Sequence, residues 1–551
     1  MWRARPPSEP VEEEERDRQR RLSSIARVTA FAHRPGLTAA VVFAVALTAF
    51  LPWIGSQEIW SKDEARTALV VREMLDSGDW SLPRVPGGVH SRKPPLYHWL
   101  AALLSRQGLD EVTLRVPAAV AAAGTAALTF LIGAQLATPA VGVGAAAMLT
   151  ASPMFFEWAR TARMETLLVF CIALSLWGLG RWLLLGGRGN GVIFGLGIGL
   201  GVLTKGPAGL LPLAVAAATL LAYGARPAPL RQLGPGLALA LGLPLGWLAP
   251  AALAAPDFVR YVQHVGPTMA RELARPSSSA VTAIGGVALG FFPWTVLLPA
   301  AFVLLARRRP LPLLAALTLA WLVIVLVVFL IAISPRAVYF LPACPALALL
   351  AAWGWVAAGT NRRWLTWPLG VAFVVAIVTG FVTAVQPITI WSHGDPFELP
   401  PVVGLVGSGV LLALGLLAFG LERRGRDLPA LILLALSVVA TLVALDAGAR
   451  TPFYNRLYPI RASVKQLESR IAPGAEVGYT EAYRDTALAV YLRRPLRQLP
   501  PVEASQPPNP APPYVLLPEV DFLAVREAWS LQKVDEVSFR RIRYVLATTG
   551  R

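Results

Sequence analysis

The chain has 551 residues, of which 55% are hydrophobic and only 15% charged, and 50 Lys and Arg against 33 Asp and Glu leave a net charge of +17. A soluble protein keeps about 25% charged residues, so this balance excludes an all-globular soluble chain and points to a membrane protein. The basic excess is assigned to membrane-flanking loops and an anionic substrate rather than to nucleic acid. The two cysteines, Cys171 and Cys344, lie inside apolar runs and offer neither a metal spacing nor a disulfide framework.

Residues 1–34 form a polar tail with Glu12 to Glu15 followed by Arg16, Arg18, Arg20, Arg21, Arg27 and Arg34. The apolar stretch after it is too long for a signal-peptide core and has no small-residue cleavage pattern, so it reads as a retained first membrane helix. Apolar segments follow at 36–54, 116–136, 139–156, 165–185, 191–204, 207–222, 232–254, 282–305, 311–333, 338–359, 366–388, 401–420 and 428–446. The sequence thus predicts a polytopic α-helical membrane protein of about 13 transmembrane helices. With the N-terminus inside, the inner loops hold Arg181 and Arg188, Arg226 and Arg231, Arg307 to Arg309, Arg362 and Arg363, and Arg423, Arg424 and Arg426. This agrees with the positive-inside rule. An odd number of crossings then puts 55–115 and 447–551 together on the outer face.

In the first outer region, Ala65–Ser77 and Leu96–Leu104 are amphipathic but shorter than the roughly 20 residues of a span, and read as helices lying along the interface. In the C-terminal region, 476–480, 514–517 and 543–547 read as strands and 485–492 as a helix, with a Pro-rich linker at 500–513. The expected division is a cytoplasmic tail at 1–34, a transmembrane domain at 35–446 that includes the outer loop 55–115, and a small periplasmic α/β domain at 447–551.

Charges collect on the outer side of this map. Asp63 and Arg66, in Ser61-Lys62-Asp63-Glu64-Ala65-Arg66, share a helix face three residues apart, as an ion pair or as catalytic groups, while Glu64 points elsewhere. Arg92 and Lys93, before the rigid Pro94-Pro95, suit a phosphate: Arg offers a planar donor fork and Lys a mobile point charge. Glu165 opens an apolar helix, where the N-terminal dipole favours a carboxylate, and is a cap or a catalytic acid. Lys205 sits in Thr204-Lys205-Gly206-Pro207, a break between membrane segments of the kind that exposes a charge to a polar cavity. His264, on the loop 255–281, is a candidate acceptor contact, and Arg336 and Tyr339, at the turn 334–342, are candidate phosphate contacts. No dense ligand cluster calls for a metal or other cofactor, although a divalent metal assisting the phosphate stays open.

In order and topology these pieces resemble the membrane glycosyltransferases that use a polyprenyl-phosphate sugar, in particular bacterial lipid A aminoarabinose transferases and protein mannosyltransferase-like relatives, which have a GT-C-like fold. The resemblance runs from about residue 36 to 360. It joins Asp63-Glu64-Ala65-Arg66 to Arg72-Glu73-Met74-Leu75-Asp76-Ser77-Gly78-Asp79-Trp80 and Lys93-Pro94, then to Leu203-Thr204-Lys205-Gly206, Phe292-Pro293-Trp294 and Tyr339-Phe340-Leu341-Pro342. It implies a bacterial inner-membrane enzyme with its catalytic loops in the periplasm, a polyprenyl-phosphate sugar donor, and an envelope lipid, glycan or protein as acceptor. It links Asp63 with catalysis and Arg66, Lys93, Lys205, and Arg336 or Tyr339 with the donor phosphate. Two departures bear on substrate: Arg92-Lys93-Pro94 stands where aminoarabinose enzymes have Glu-Lys-Pro, and Glu165 stands where they have Asp. A transporter of lipid-linked sugars or envelope lipids is the alternative that the same outer cations allow.

Overall fold

The computed structural model describes residues 34–86, 88–89, 93–223, 229–254, 280–308, 310–332, 337–359, 363–385, 389–392, 395–398, 400–480, 485–499, 508–539 and 542–549. Its helices, in chain order, are α1 (Pro35–Phe50), α2 (Lys62–Ser77), α3 (Leu96–Leu104), α4 (Glu111–Leu136), α5 (Pro139–Thr150), α6 (Pro153–Ala159), α7 (Glu165–Leu185), α8 (Arg188–Lys205), α9 (Leu211–Tyr223) and α10 (Gly234–Ala254). They continue with α11 (Ala280–Gly290), α12 (Leu298–Ala306), α13 (Leu313–Ala332), α14 (Cys344–Ala357), α15 (Arg363–Val385), α16 (Pro401–Arg423) and α17 (Asp427–Leu445). After a π-helical turn at Asp446–Arg450 come α18 (Thr451–Leu457), α19 (Ile460–Glu468), α20 (Asp485–Tyr491) and α21 (Glu519–Val525).

Among the described residues, seven helical runs are long and apolar enough to cross a membrane, or up to nine if each of two bent pairs is one span. The bent pairs are α5 with α6, at 68°, and the 284–306 region, at 103°. The helix Pro35–Phe50 and the stretches Leu313–Val328 of α13 and Thr366–Val382 of α15 are apolar as well. The polytopic helical bundle is as the sequence predicts, with seven to nine such spans among the described residues. The segments 191–204 and 207–222 lie in one helical run, Arg188–Tyr223. There, Gly206 takes a positive φ of 60° and a 3-10 turn follows at Gly206–Leu210. A Cβ on Gly209 would collide with the backbone of Gly201 and Val202. The chain therefore folds sharply back after Lys205, and only glycine permits that approach.

The two short amphipathic helices, α2 and α3, form where the sequence places them. Ser61 caps α2 by accepting from the Glu64 N–H at 3.3 Å, and Gly78 ends the helix with a φ of 70°. A strand at Val477–Tyr479 (β5), the helix α20, and strands at Tyr514–Pro518 (β7) and Ile542–Thr549 (β9) match the expected elements. Two further strands, β6 (Leu496–Gln498) and β8 (Leu531–Phe539), complete a five-stranded sheet of order β6-β5-β7-β9-β8. β5 runs parallel to β6 and β7, whereas β9 is antiparallel to β7 and β8. Two short hairpins, β1 (Arg84–Val85) with β2 (Gly88–Val89) and β3 (Thr389–Ser392) with β4 (Asp395–Glu398), lie outside it.

Two apolar cores matter for the site. One fills the helical bundle and includes Trp182, Trp294 and Trp321. The other joins the segment 55–115 to the C-terminal sheet, with Ile59, Leu69, Tyr97 and Leu114 packed in one cluster with Tyr458, Leu467, Tyr479, Leu516 and Tyr544. The segments 55–115 and 447–551, far apart in sequence, thus bury a common core.

Beneath α2 lies a buried ion pair. Arg115 donates to both Glu64 carboxylate oxygens, at 2.9 and 3.2 Å, and to the Ile54 and Gln57 carbonyls, each at 2.8 Å. Glu64 also accepts from the Ala162 N–H at 2.7 Å. Burial would push the Glu64 carboxyl up, but the Arg115 guanidinium and the Ala162 N–H hold it below the ordinary carboxylate value. Glu64→Ala leaves Arg115 charged, buried and half-satisfied, and is expected to cost about 3–5 kcal/mol of stability. Thermal unfolding in detergent checks this.

Candidate functional site

The predicted groups meet at one end of the bundle. α7 and α8 are antiparallel neighbours joined by the tight turn at Gly186 and Gly187, so the first residue of one reaches the last residue of the other. Glu165 therefore faces Lys205, whose Nζ lies 3.1 Å from Glu165 Oε1. Each charge suits its helix end, the carboxylate at the positive N-terminus of α7 and the ammonium at the negative C-terminus of α8. Both side chains are almost buried, at 8% and 10% exposure. The Lys205 ammonium also sits 4.9 Å above the Tyr339 ring, where the ring's quadrupole attracts it.

The link to α2 is Arg163, on the turn between α6 and α7. Its guanidinium reaches Glu165 Oε2 at 3.4 Å and Asp63 Oδ2 at 3.0 Å, and lies 4.7 Å over the Trp158 ring. Burial opposes the charge on Arg163, yet Glu165 and Asp63 keep it more strongly cationic than an ordinary arginine. The result is an unbroken sequence of alternating charge, Asp63–Arg163–Glu165–Lys205, ending on Tyr339. It runs from a 44% exposed carboxylate at Asp63 to buried groups at the far end. Glu64, one residue from Asp63, anchors the same turn through the Ala162 N–H, so two successive acidic residues hold the 160–164 segment by different atoms.

Two acids and two bases leave this sequence neutral, and further cations supply the positive surplus. Lys93, half-buried before α3, is among the charges acting on the Glu165 carboxylate. Arg66, half-buried, lies one turn along α2 from Asp63. The structure brings together Asp63, Glu165, Lys205 and Tyr339 directly and sets Lys93 within their electrostatic reach. Arg92, His264 and Arg336 lie outside the described residues. Arg163 carries no role in the sequence reading, although its placement two residues before Glu165, between two apolar helices, was the available signal. Among the described residues no group of three or more His, Cys, Asp or Glu side chains comes together to hold a metal ion.

A second network stands beside the first. Arg160 donates to Asp446 Oδ2, at 3.1 and 2.8 Å, and to the Phe50 carbonyl at 2.6 Å. Arg450 reaches Asp446 Oδ1 at 3.4 Å and Glu157 Oε1 at 2.9 Å. These bonds tie the ends of α1 and α6 to the π-turn after α17. Their four charges satisfy one another, which fits a structural brace.

His98, buried on α3, is pushed down to about 4 by desolvation, with Lys93 adding to the effect. Because the folded chain holds this imidazole neutral while the unfolded chain protonates it near 6.5, its stabilisation is complete above about pH 6.5 and is lost as pH falls toward 4. Between those limits the wild type is expected to lose about 3 kcal/mol more than His98→Asn. Melting curves of both proteins across that range measure the difference.

Known proteins are similar to this chain in sequence over part of its length and in fold over most of it. The family model described as dolichyl-phosphate-mannose-protein mannosyltransferase matches residues 92–248. An undecaprenyl phosphate-alpha-4-amino-4-deoxy-L-arabinose arabinosyl transferase from Aeromonas hydrophila is 28% identical over 309 residues, 54% of this chain and 56% of that protein. One from Sodalis glossinidius is 30% identical over 328 residues, 56% of each. The chain thus aligns with little more than half the length of these curated relatives. In three dimensions it is similar to ArnT from Cupriavidus metallidurans bound to undecaprenyl phosphate, with a TM-score of 0.76 at 21% identity over 92% of this chain and 97% of that one. The apo form of the same protein gives 0.74. The resemblance read from the sequence is borne out: the chain has a GT-C-like fold and is similar to the polyprenyl-phosphate-sugar-dependent membrane glycosyltransferases.

Proposed function

We propose that this GT-C-like membrane chain transfers a sugar from a polyprenyl-phosphate donor to an envelope acceptor, lipid A foremost, at the outer face of the bacterial inner membrane. The observation that carries this reading is the Asp63–Arg163–Glu165–Lys205 sequence, which sets one open carboxylate beside a cation-lined, nearly buried interior. The topology that goes with it has thirteen crossings, a cytoplasmic tail at 1–34, a transmembrane domain at 35–446 and a periplasmic domain at 447–551. The sharp reversal after Lys205 supports counting 191–204 and 207–222 separately.

In the reaction, the Asp63 carboxylate takes the proton of an acceptor hydroxyl, or orients an acceptor phosphate, as the acceptor oxygen attacks the anomeric carbon. The glycosidic C–O bond breaks on the opposite face, its electron pair passes to the phosphate oxygen, and the sugar is inverted. The departing polyprenyl phosphate gains one negative charge. Lys205 and Lys93, with Arg66, Arg92 and Arg336, neutralise it, and the Tyr339 hydroxyl donates to it, in a region of low dielectric where such contacts act most strongly on the transition state. Glu165 keeps Lys205 and Arg163 in place and shapes the field at the acceptor, and His264 contacts the acceptor. One attack suffices because the donor already carries its leaving group.

The test uses the full-length chain in lipid nanodiscs with undecaprenyl-phosphate-linked 4-amino-4-deoxy-L-arabinose and lipid A, read by mass spectrometry of the acceptor. Gain of one aminopentosyl unit is the expected result. A donor panel then addresses Arg92 and Glu165, whose departures from the aminoarabinose pattern bear on which sugar is used. Movement of the intact donor across proteoliposomes with no change of covalent partner would overturn the reading in favour of transport.

A further inference from the structure

We propose that the segment 447–499 is a working part of the site, in which Tyr491 and the stacked pair Tyr454 and Tyr458 set the position of Asp63 through the irregular stretch 56–60. This rests on the transfer reading above and deepens it, making Trp60 and Tyr491 positioning residues.

Asp63 sits on the first turn of α2, so its place depends on how the chain enters that helix. The entering stretch leans on the C-terminal region at nearly every residue. The Ser56 carbonyl accepts from Asn455 Nδ2 at 2.8 Å, and the Glu58 N–H donates to Asn455 Oδ1 at 2.9 Å. The Ile59 N–H donates to the Tyr491 hydroxyl at 2.7 Å. That hydroxyl in turn donates to Glu111 Oε1 at 2.5 Å, and Glu111 also receives Arg461 at 2.6 and 2.7 Å. The Glu58 carboxylate accepts from the Arg461 N–H at 3.0 Å.

Trp60 completes the hold. Its ring lies parallel to Tyr454, 4.4 Å away at 8°, and to Tyr458, 5.2 Å away at 3°. The far half of α2 is held by the same region: Arg72 donates to the Leu492 carbonyl at 2.7 Å and the Arg494 carbonyl at 2.8 Å, a cation set just past the C-terminus of α20. Both ends of α2 are therefore held by 447–499, while its first turn is also tied to the bundle through Glu64, Arg115 and the Ala162 N–H. The distance between Asp63 and the cations thus depends on both holds, and loosening the C-terminal one leaves α2 fixed on one side only. Misplacing a reacting group by about 1 Å costs on the order of 100-fold in rate, so the C-terminal hold reports directly on turnover.

Tyr491→Phe removes both hydroxyl bonds and keeps the ring, and Trp60→Ala removes the stack. In the nanodisc assay with undecaprenyl-phosphate-linked aminoarabinose and lipid A, both are expected to lower kcat by about 10- to 100-fold while leaving the donor KM unchanged. Trp60→Phe, which keeps a stacked ring, is expected to recover most of the loss. Amide exchange over residues 56–66, which reads the hold whether or not sugar is transferred, is expected to accelerate in Tyr491→Phe and Trp60→Ala. Unchanged exchange there overturns the positioning role, as does a wild-type kcat in both variants. A wild type that binds donor and transfers nothing overturns the transfer reading instead, with the exchange measurement still deciding the hold.

Discussion

Asp63→Asn is expected to lower kcat by about 10²- to 10⁴-fold, the range spanned by loss of a positioned general base, with little change in melting temperature. The substitution keeps the shape of the side chain and removes its charge. Asp63 is 44% exposed, so no buried partner is stranded, and Arg163 retains Glu165 as its second acid. The Glu64–Arg115 pair, which carries the local stability, is untouched. Stability and activity therefore separate at two adjacent residues. Glu64→Ala should unfold the region, whereas Asp63→Asn should leave a folded, donor-binding, inactive protein. Asp63→Glu retains the charge but displaces it by a methylene, and its turnover should fall between those of the wild type and Asp63→Asn. Near-wild-type turnover in Asp63→Asn would remove this carboxylate from the chemistry.

The same neighbourhood shows what a single sequence can and cannot reveal. Asp63, Glu165 and Lys205 stand out because a charge beside a long apolar run is costly unless it is hydrated, paired or needed, and each lies near the end of such a run. The two amphipathic helices of the outer loop were readable from their period and length. Glu64 was correctly separated from Asp63 by helical geometry, but its partner was not visible: Arg115 stands one residue before the predicted start of an apolar segment and looked like a flank. Arg163 was passed over for a related reason. Local spacing says which residues share a helix face, whereas a residue on a turn is oriented by whatever the turn packs against, here α2 through Glu64 and the Ala162 N–H. The hold of 447–499 on residues 56–60 was out of reach, since pairs such as Ile59 with Tyr491 are separated by more than 400 positions. Counting spans meets a similar limit. Hydropathy marks apolar stretches but does not distinguish a straight helix from one that is bent or folded back, and the closeness of Gly209 to Gly201 is a tertiary fact.

Lys205→Met is expected to damage both stability and turnover, and the double variant Glu165→Gln/Lys205→Met should separate them. Alone, Lys205→Met leaves the Glu165 carboxylate, 8% exposed, with Arg163 as its remaining close cation. Removing one member of a buried pair costs about 3–5 kcal/mol because the other charge stays desolvated. Replacing both with neutral side chains removes that penalty, and Arg163 keeps its bond to Asp63, so the double variant should recover most of the melting temperature. Turnover should not recover with it. Lys205 supplies positive charge where the phosphate gains its electron pair, and loss of one preorganised group of this kind costs about 10²- to 10³-fold in kcat. If Lys205 served only to neutralise Glu165, the double variant would regain rate in step with stability. A stable double variant that binds donor and turns over at the rate of the single one shows that the loss is not a stability defect, and faster turnover in Glu165→Gln alone then assigns it to the Lys205 ammonium rather than to the carboxylate.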